Sequence, residues 1–193
     1  MKVLVACEFS GVVREAFRSR GHNAWSCDFL PAEDGSKYHY TEDVSGQLVT
    51  GKWDLMIAHP PCTHLAVSGA RWFKDKQAEQ AQALNFVRYL LEAPIPKIAL
   101  ENPVSVISTK IRKPDQIIHP WMFGHPERKT TCLWLKGLPK LQETQNVKNE
   151  MEKLPKRLQE RLHYLSPSEN RWKLRSTTFT GIAEAMADQW GEL

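Results

Sequence analysis

Cysteine is scarce in this chain and shows no paired spacing: Cys7, Cys27, Cys62 and Cys132 are the only four in 193 residues. Nothing therefore points to a disulfide framework or an oxidising compartment. Long hydrophobic runs are missing too. No apolar stretch approaches the ~20 residues needed to span a bilayer, and no apolar leader follows Met1. The expectation is a cytoplasmic protein with no membrane role. Internal repeats and low-complexity tracts are absent, and glycine is sparse, with Gly11 the lone glycine in the first strand-to-helix turn. What is present is ordinary for a globular domain. With 41% hydrophobic and 25% charged residues, the chain is neither disordered nor collagen-like and is long enough to bury a core of its own.

The formal net charge of +4 conceals an uneven distribution. Residues 1–96 carry 10 Lys and Arg against 11 Asp and Glu, residues 97–175 carry 16 against 8, and residues 176–193 carry 0 against 3. The middle segment is the basic one. Such a block can neutralise phosphates and give salt-dependent affinity for nucleic acid; interleaved with Glu, it also suits a solvated face.

Hydrophobic patterning gives the architecture. The runs at 2–7, 53–58 and 97–100 read as short strands buried on both faces, and a further strand is predicted over 23–27, closing on Asp28. A helix is predicted after Gly11, with Val12, Val13, Ala16 and Phe17 inward, Arg14, Arg18 and Arg20 on the other face, and Gly21 as its stop. A second helix is predicted over 74–92 through Ala81, Leu84, Val87, Leu90 and Leu91, ended by Pro94 and Pro96. Strands alternating with helices predict an α/β fold with a doubly wound, mostly parallel sheet. Beyond residue 103 a strand is expected over 130–135, one helix near 151–163, and a closing helix over 181–190 that packs back through Ile182, Met186 and Trp190. The organisation expected is a core over 1–135, a small basic appendage over 136–175, and a C-terminal helix within 176–193.

Ligands of such sheets bind beyond the carboxyl ends of the strands. Glu8 to Gly11, Asp28, His59 to His64 and Glu101 to Pro103 all fall there. Two of these ends, Pro60-Pro61-Cys62 and Glu101-Asn102-Pro103, are joined by one helix, and a right-handed crossover of that size sets consecutive parallel strands close together. A thiol and a carboxyl would then face one cleft, as candidate nucleophile and general acid. The remaining cysteines read as core. His59, Cys62 and His64 bear zinc-ligand chemistry, but the zinc deaminase pattern is incomplete, because Leu65 stands where a second cysteine is required. No metal is expected. Trp72, Trp121, Trp134 and Trp172 lie among basic residues, and Trp72 and Trp121 are the two marked for base stacking.

These residues give a resemblance to a known family. In order along the chain, Phe9-Ser10-Gly11, Asp28, Asp43, Pro60-Pro61-Cys62, Glu101-Asn102, the basic pair Arg128-Lys129 and the helix over 181–187 resemble the motifs of a short DNA cytosine-5 methyltransferase. The resemblance implies a class I methyltransferase fold with S-adenosylmethionine as cofactor and DNA as substrate. It implies cofactor contacts from Phe9, Ser10, Gly11, Asp28, Asp43 and Pro60, and substrate contacts from Pro61, His64, Arg71, Asn102 and Lys129. It further implies catalysis by Cys62, Glu101 and Arg128. The target cytosine would leave the stack, the Cys62 thiolate would add to ring carbon 6, and Glu101 would bond ring nitrogen 3, leaving ring carbon 5 to take the methyl group. This chemistry asks for a thiol lowered by Arg128 or Lys129 and a carboxyl raised enough to donate. The family's target-recognition domain is missing or reduced to about 136–175, which leaves target choice to that segment or to a partner chain. Two other readings stay open: a catalytically degenerate relative that binds DNA or regulates a partner, and a methyltransferase acting on free nucleotides.

Overall fold

The first strand, β1 (Lys2–Ala6), sits inside the sheet because its side chains are apolar on both faces; Val3, Leu4, Val5 and Ala6 have no exposed surface. It pairs in parallel with β2 (Asn23–Asp28) on one side and β4 (Leu55–Ala58) on the other. The computed structural model describes residues 1–193 apart from the side chain of Trp72. The full sheet runs β3-β2-β1-β4-β5-β7-β6, with β3 at His39–Thr41, β5 at Lys97–Pro103, β6 at Gln116–Ile118 and β7 at Thr131–Lys136. Every pairing is parallel except those of β7, which runs antiparallel to both neighbours. The α/β, doubly wound, mostly parallel architecture expected from the sequence is the one observed.

The period of two along each strand divides the core. Val3, Val5, Leu55 and Ile57 face one layer, built on α1 (Val12–Arg18) and α8 (Thr180–Trp190), while Leu4, Ala6, Met56 and Ala58 face the other, built on α2 (Val44–Thr50) and α3 (Gln77–Leu91). Ile182, Met186 and Trp190 of α8 are buried as predicted, and Trp190 Nε1 donates to the Pro139 carbonyl at 3.0 Å. Trp190→Ala is expected to cost about 3–5 kcal/mol, through lost burial and the cavity left behind. Chemical unfolding would show it as a lower midpoint at unchanged slope, and a loss below ~1 kcal/mol would contradict this packing role.

Several sequence expectations are corrected. Arg14 is not on the solvent face of α1; it is fully buried, donating to Ser26 Oγ at 2.8 Å and to Glu15 at 2.8 Å, and pairing with Asp34. A buried guanidinium survives because each edge has a partner. Strands β3 and β6 and helices α2, α4 (Ile107–Lys110) and α7 (Arg171–Ser176) are additions, and α3 starts at Gln77 behind a 3-10 helix over Val67–Asp75. The single helix expected near 151–163 is instead two short ones, α5 (Lys148–Glu152) and α6 (Lys156–Gln159), because Pro155, with φ −54° and ψ 143°, breaks the path between them. Cys27 and Cys132 are buried, but Cys7 is half-buried at the end of β1 and takes a left-handed φ of 59°. No helix among the described residues is long and apolar enough to cross a membrane.

Candidate active site

The carboxyl ends of β1, β4 and β5 open into a cleft of about 460 Å³. Its floor is made of the three segments that leave those strands: Cys7 to Ser10, His59 to Thr63, and Glu101 to Pro103. The register explains why. Ala58 pairs with Ala6 on one side and with Leu100 on the other, so the residues that follow emerge side by side. Its roof comes from further along the chain, from Leu162, His163 and the segment around α7 (Arg171–Ser176).

The nucleophile loop is fixed by backbone chemistry. Cys62 follows two prolines that cannot donate to the ladder, and its carbonyl accepts from the backbone N–H groups of Leu65 and Ala66 at 3.0 and 2.9 Å. Asn102, almost fully buried, donates from Nδ2 to the Pro60 carbonyl at 2.9 Å. Asn102 therefore braces this loop from the neighbouring strand. The Cys62 side chain remains open to the cleft.

Glu101 lies at the end of β5, mostly buried, and its Oε2 meets His59 Nδ1 at 3.3 Å. Burial alone would push its carboxyl up. The hydrogen bond from His59, the Lys129 charge, the charge of His59 and the Thr131 hydroxyl outweigh burial and hold it below the usual carboxylate range. Cys62 moves the other way. Burial and the Glu101 carboxylate push its thiol up, and its own backbone N–H with the charges of Lys129 and Arg175 oppose them without prevailing. Both directions are the reverse of those the sequence reading asked for: the free protein holds its proton on sulfur and its charge on the carboxylate. The reasons are separate: burial, with the nearby Glu101 carboxylate, disfavours a thiolate at Cys62, while His59, Lys129 and Thr131 favour the charged form of Glu101.

The predicted site residues divide. Phe9, Ser10, Pro60, Pro61, Cys62, Glu101, Asn102, Arg128 and Lys129 line the cleft together. Arg128 does so from an exposed position, and Lys129, with Arg175, is the cation that acts on Cys62. The others fall outside its described lining. Gly11 is the left-handed N-cap of α1 (φ 76°), where a Cβ would strike the guanidinium of Arg14. Asp28 accepts from the backbone of Leu30 at 2.9 Å, and Asp43 caps α2 through Ser45 at 2.8 Å. His64 lines a smaller cavity of about 120 Å³ with Phe73 and Lys76, which adjoins the cleft through Thr63 and Gly69, and Arg71 is exposed on the 3-10 helix. Trp121 stacks on His119 away from that lining, Trp134 is buried, and the Trp72 side chain lies outside the described residues. The tryptophan that does line the cleft is Trp172, half-exposed and 5.5 Å from the ring of Phe9.

Sequence reasoning places Glu8 and His59 at the ligand end of the sheet and Trp172 among basic residues without giving any of them a site role, and it misses Arg175. Glu8 is buried, and its carboxylate accepts from the backbone N–H groups of Val13 at 2.7 Å and Arg14 at 3.2 Å, supplying the cap that Gly11 lacks. Its burial pushes the Glu8 carboxyl up, against the charge of His59, these two N–H groups and Arg14. The start of α1 is thus already capped by a carboxyl group from the chain itself. On the floor, His59 Nε2 and Asn102 Oδ1 are buried without a partner among the described residues. Unpaired polar atoms on residues of the lining, which also holds the rings of Phe9 and Trp172, suit a ligand that is both polar and flat. Among the described residues, no group of three His, Cys, Asp or Glu side chains could hold a metal ion.

No family model matches the chain, and no curated protein matches it. Solved structures do. The Dnmt2 methyltransferase of S. pombe aligns with all of this chain and 66% of its own length, at 17% identity and a TM-score of 0.50. An E. coli protein described as a DNA modification methyltransferase encoded within a prophage aligns over 81% of this chain and 56% of its own, at 17% identity and a TM-score of 0.49. The chain thus spans less than two thirds of the length of either. The methyltransferase fold of the S. pombe protein is the fold of this chain, with the mostly parallel seven-stranded sheet described above.

Proposed function

We propose that this protein is a methyltransferase that uses S-adenosylmethionine to methylate ring carbon 5 of cytosine in DNA. One observation carries the reading: the thiol of Cys62 and the carboxylate of Glu101, carried by neighbouring strands and the loop that leaves one of them, line one cleft, where the carboxylate helps hold the proton on the sulfur. The methyltransferase fold supports the reaction class, and the basic groups at the cleft, Arg128, Lys129 and Arg175, support a polyanionic substrate.

Phe9, Ser10 and Pro60, with Trp172 beside Phe9, are the residues that would hold the cofactor. When bound, it supplies an electrophilic methyl group. Cys62 and Glu101 prepare the acceptor. As the sulfur forms its bond to ring carbon 6, the thiol gives up its proton, and the Glu101 carboxylate can carry a proton to ring nitrogen 3. The pair thus starts with one proton, on sulfur; it passes through Glu101 to ring nitrogen 3 and returns by the same route to sulfur when the carbon–sulfur bond breaks. Electron density drawn toward nitrogen 3 makes ring carbon 5 nucleophilic. Once the proton on carbon 5 has gone to a base, the carbon–sulfur bond breaks and Cys62 is restored.

A pair that works with one shared proton has a characteristic pH dependence. A second proton on Glu101 stops it at low pH, and loss of the last proton from Cys62 stops it at high pH. Because Glu101 is held below and Cys62 above their ordinary values of about 4.3 and 8.5, kcat/KM is expected to be flat across neutrality. Its limbs should fall outside those two values. A limb centred between 6 and 7 would contradict the assignment. The function itself is tested with methyl-labelled cofactor and duplex DNA, followed by digestion to nucleosides. Label in 5-methylcytosine is the expected result. Label only in free cytidine nucleotides would move the substrate, and salt-sensitive DNA binding with no label would leave a DNA-binding relative.

A further inference from the structure

The roof of the cleft is built unlike its floor. From residue 161 to residue 180 no residue is buried, although Gln159 before this stretch and Ile182 after it are. Both ends of the stretch are fastened to one short segment that precedes β7. Glu127, itself buried, accepts from the backbone N–H of Leu162 at 2.8 Å, and His125 Nε2 accepts from that of Gly181 at 3.0 Å. The chain leaves from and returns to the same neighbourhood, and the part between, with α7, lies over the cleft.

Helix α7 buries no residue of its own. On the cofactor side, Trp172 packs on Phe9 with ring centroids 5.5 Å apart, and Lys173 Nζ pairs with Glu33 at 3.3 Å. Glu33 is bound to the same loop, its backbone N–H donating to the Phe9 carbonyl at 2.9 Å. On the nucleophile side, Lys129 Nζ donates to the Arg175 carbonyl at 2.9 Å. A segment with anchored ends and no buried residue, held by a few solvent-screened contacts, opens at little cost. Two rings in contact also leave no room for a third between them, so a flat ligand reaches the covered face of Phe9 only when Trp172 lifts away.

We propose that residues 163–179 form a hinged lid over the cleft, with His125 and Glu127 as its anchors and the contacts Trp172–Phe9 and Lys173–Glu33 as its latch. Closure brings Trp172 and Arg175 into the site, and opening admits the ligand. The lid rests on the function proposed above only in taking S-adenosylmethionine as that ligand.

Millisecond amide exchange of the whole protein, read by mass spectrometry, follows the lid directly. In the free protein, peptides within 163–179 are expected to exchange about 10²-fold faster than those of α8, or more; equal protection would overturn the lid. Lys173→Glu sets two carboxylates against each other and is expected to speed exchange of the α7 amides about two- to fivefold, the scale of an exposed ion pair. Adding Glu33→Lys restores the pair with its charges exchanged and should bring the rate back toward that of the wild type. A single variant at the wild-type rate, or a double variant as fast as the single, would overturn the latch. S-adenosylhomocysteine has no methyl group to transfer. At about 100 times its Kd it is expected to slow exchange of the lid tenfold or more. Binding seen by calorimetry with no slowing would overturn the lid as a gate for this ligand. No binding at all would instead count against the cofactor reading, while exchange in the free protein and in the charge-exchanged variant still decides the lid.

Discussion

Cys62→Ala is expected to lower kcat by about 10⁴-fold or more, the scale on which removing a catalytic nucleophile acts, while the fold and cofactor affinity stay intact. The separation of the two effects comes from the local structure. What Cys62 gives the loop is its carbonyl, which holds Leu65 and Ala66, and any residue supplies that. Its side chain is exposed to the cleft, so truncation leaves no cavity in the core. Single-turnover transfer of labelled methyl groups to DNA, with thermal unfolding alongside, measures both. An alanine variant that keeps its rate would show that sulfur forms no bond to substrate.

Glu101→Gln is expected to cost about 10²–10⁴-fold in kcat, the range for losing a positioned acid or base. The amide matches the carboxyl in shape and still offers His59 an acceptor oxygen, and Asn102 goes on bracing Pro60. What it cannot do is exchange a proton with ring nitrogen 3. The substitution also changes stability in a pH-dependent way. The folded-state value of Glu101 is depressed, so its contribution is complete above the unfolded carboxyl value of about 4.3. It is lost as pH falls through the lower folded value. The variant should therefore melt below the wild type at neutral pH, with the gap closing in acid. A gap that widens in acid would mean that the carboxyl is raised, and the mechanism would need a different proton inventory.

The parts of this fold written in long apolar runs are legible in the sequence, and those made by pairing are not. The apolar runs 3–6, 55–58 and 98–100 of β1, β4 and β5 are buried on both faces, so each of their residues advertises them. β3 and β6 have three residues each and exist because an edge of the sheet is there to pair with. Arg14 has the spacing of a solvent-facing residue, and only the folded positions of Ser26 and Asp34 make its burial tolerable. The same division runs through the site. Strand-end logic brings Cys62 and Glu101 to one cleft and puts His59 beside them, but the contact of His59 with Glu101 is made by the folded side chains and carries no sequence signal. Trp172 and Arg175 carry no such signal, because they reach the cleft from a segment whose path is broken at Pro155. Asp28 and Asp43 carry the residue types of ligand contacts but serve turn and cap.

The central claim is a bond between Cys62 sulfur and ring carbon 6 of cytosine, and it can be trapped. Duplex DNA carrying 5-fluorocytosine offers the same ring, but after methyl transfer the fluorine on carbon 5 cannot leave as a proton does, so the sulfur cannot be released. Incubation with this DNA and S-adenosylmethionine, followed by peptide mass spectrometry, is predicted to find the methylated base attached to Cys62 and no adduct in Cys62→Ala. An adduct on another residue, or methylated cytosine formed from ordinary DNA with no adduct from the fluorinated one, would contradict the account.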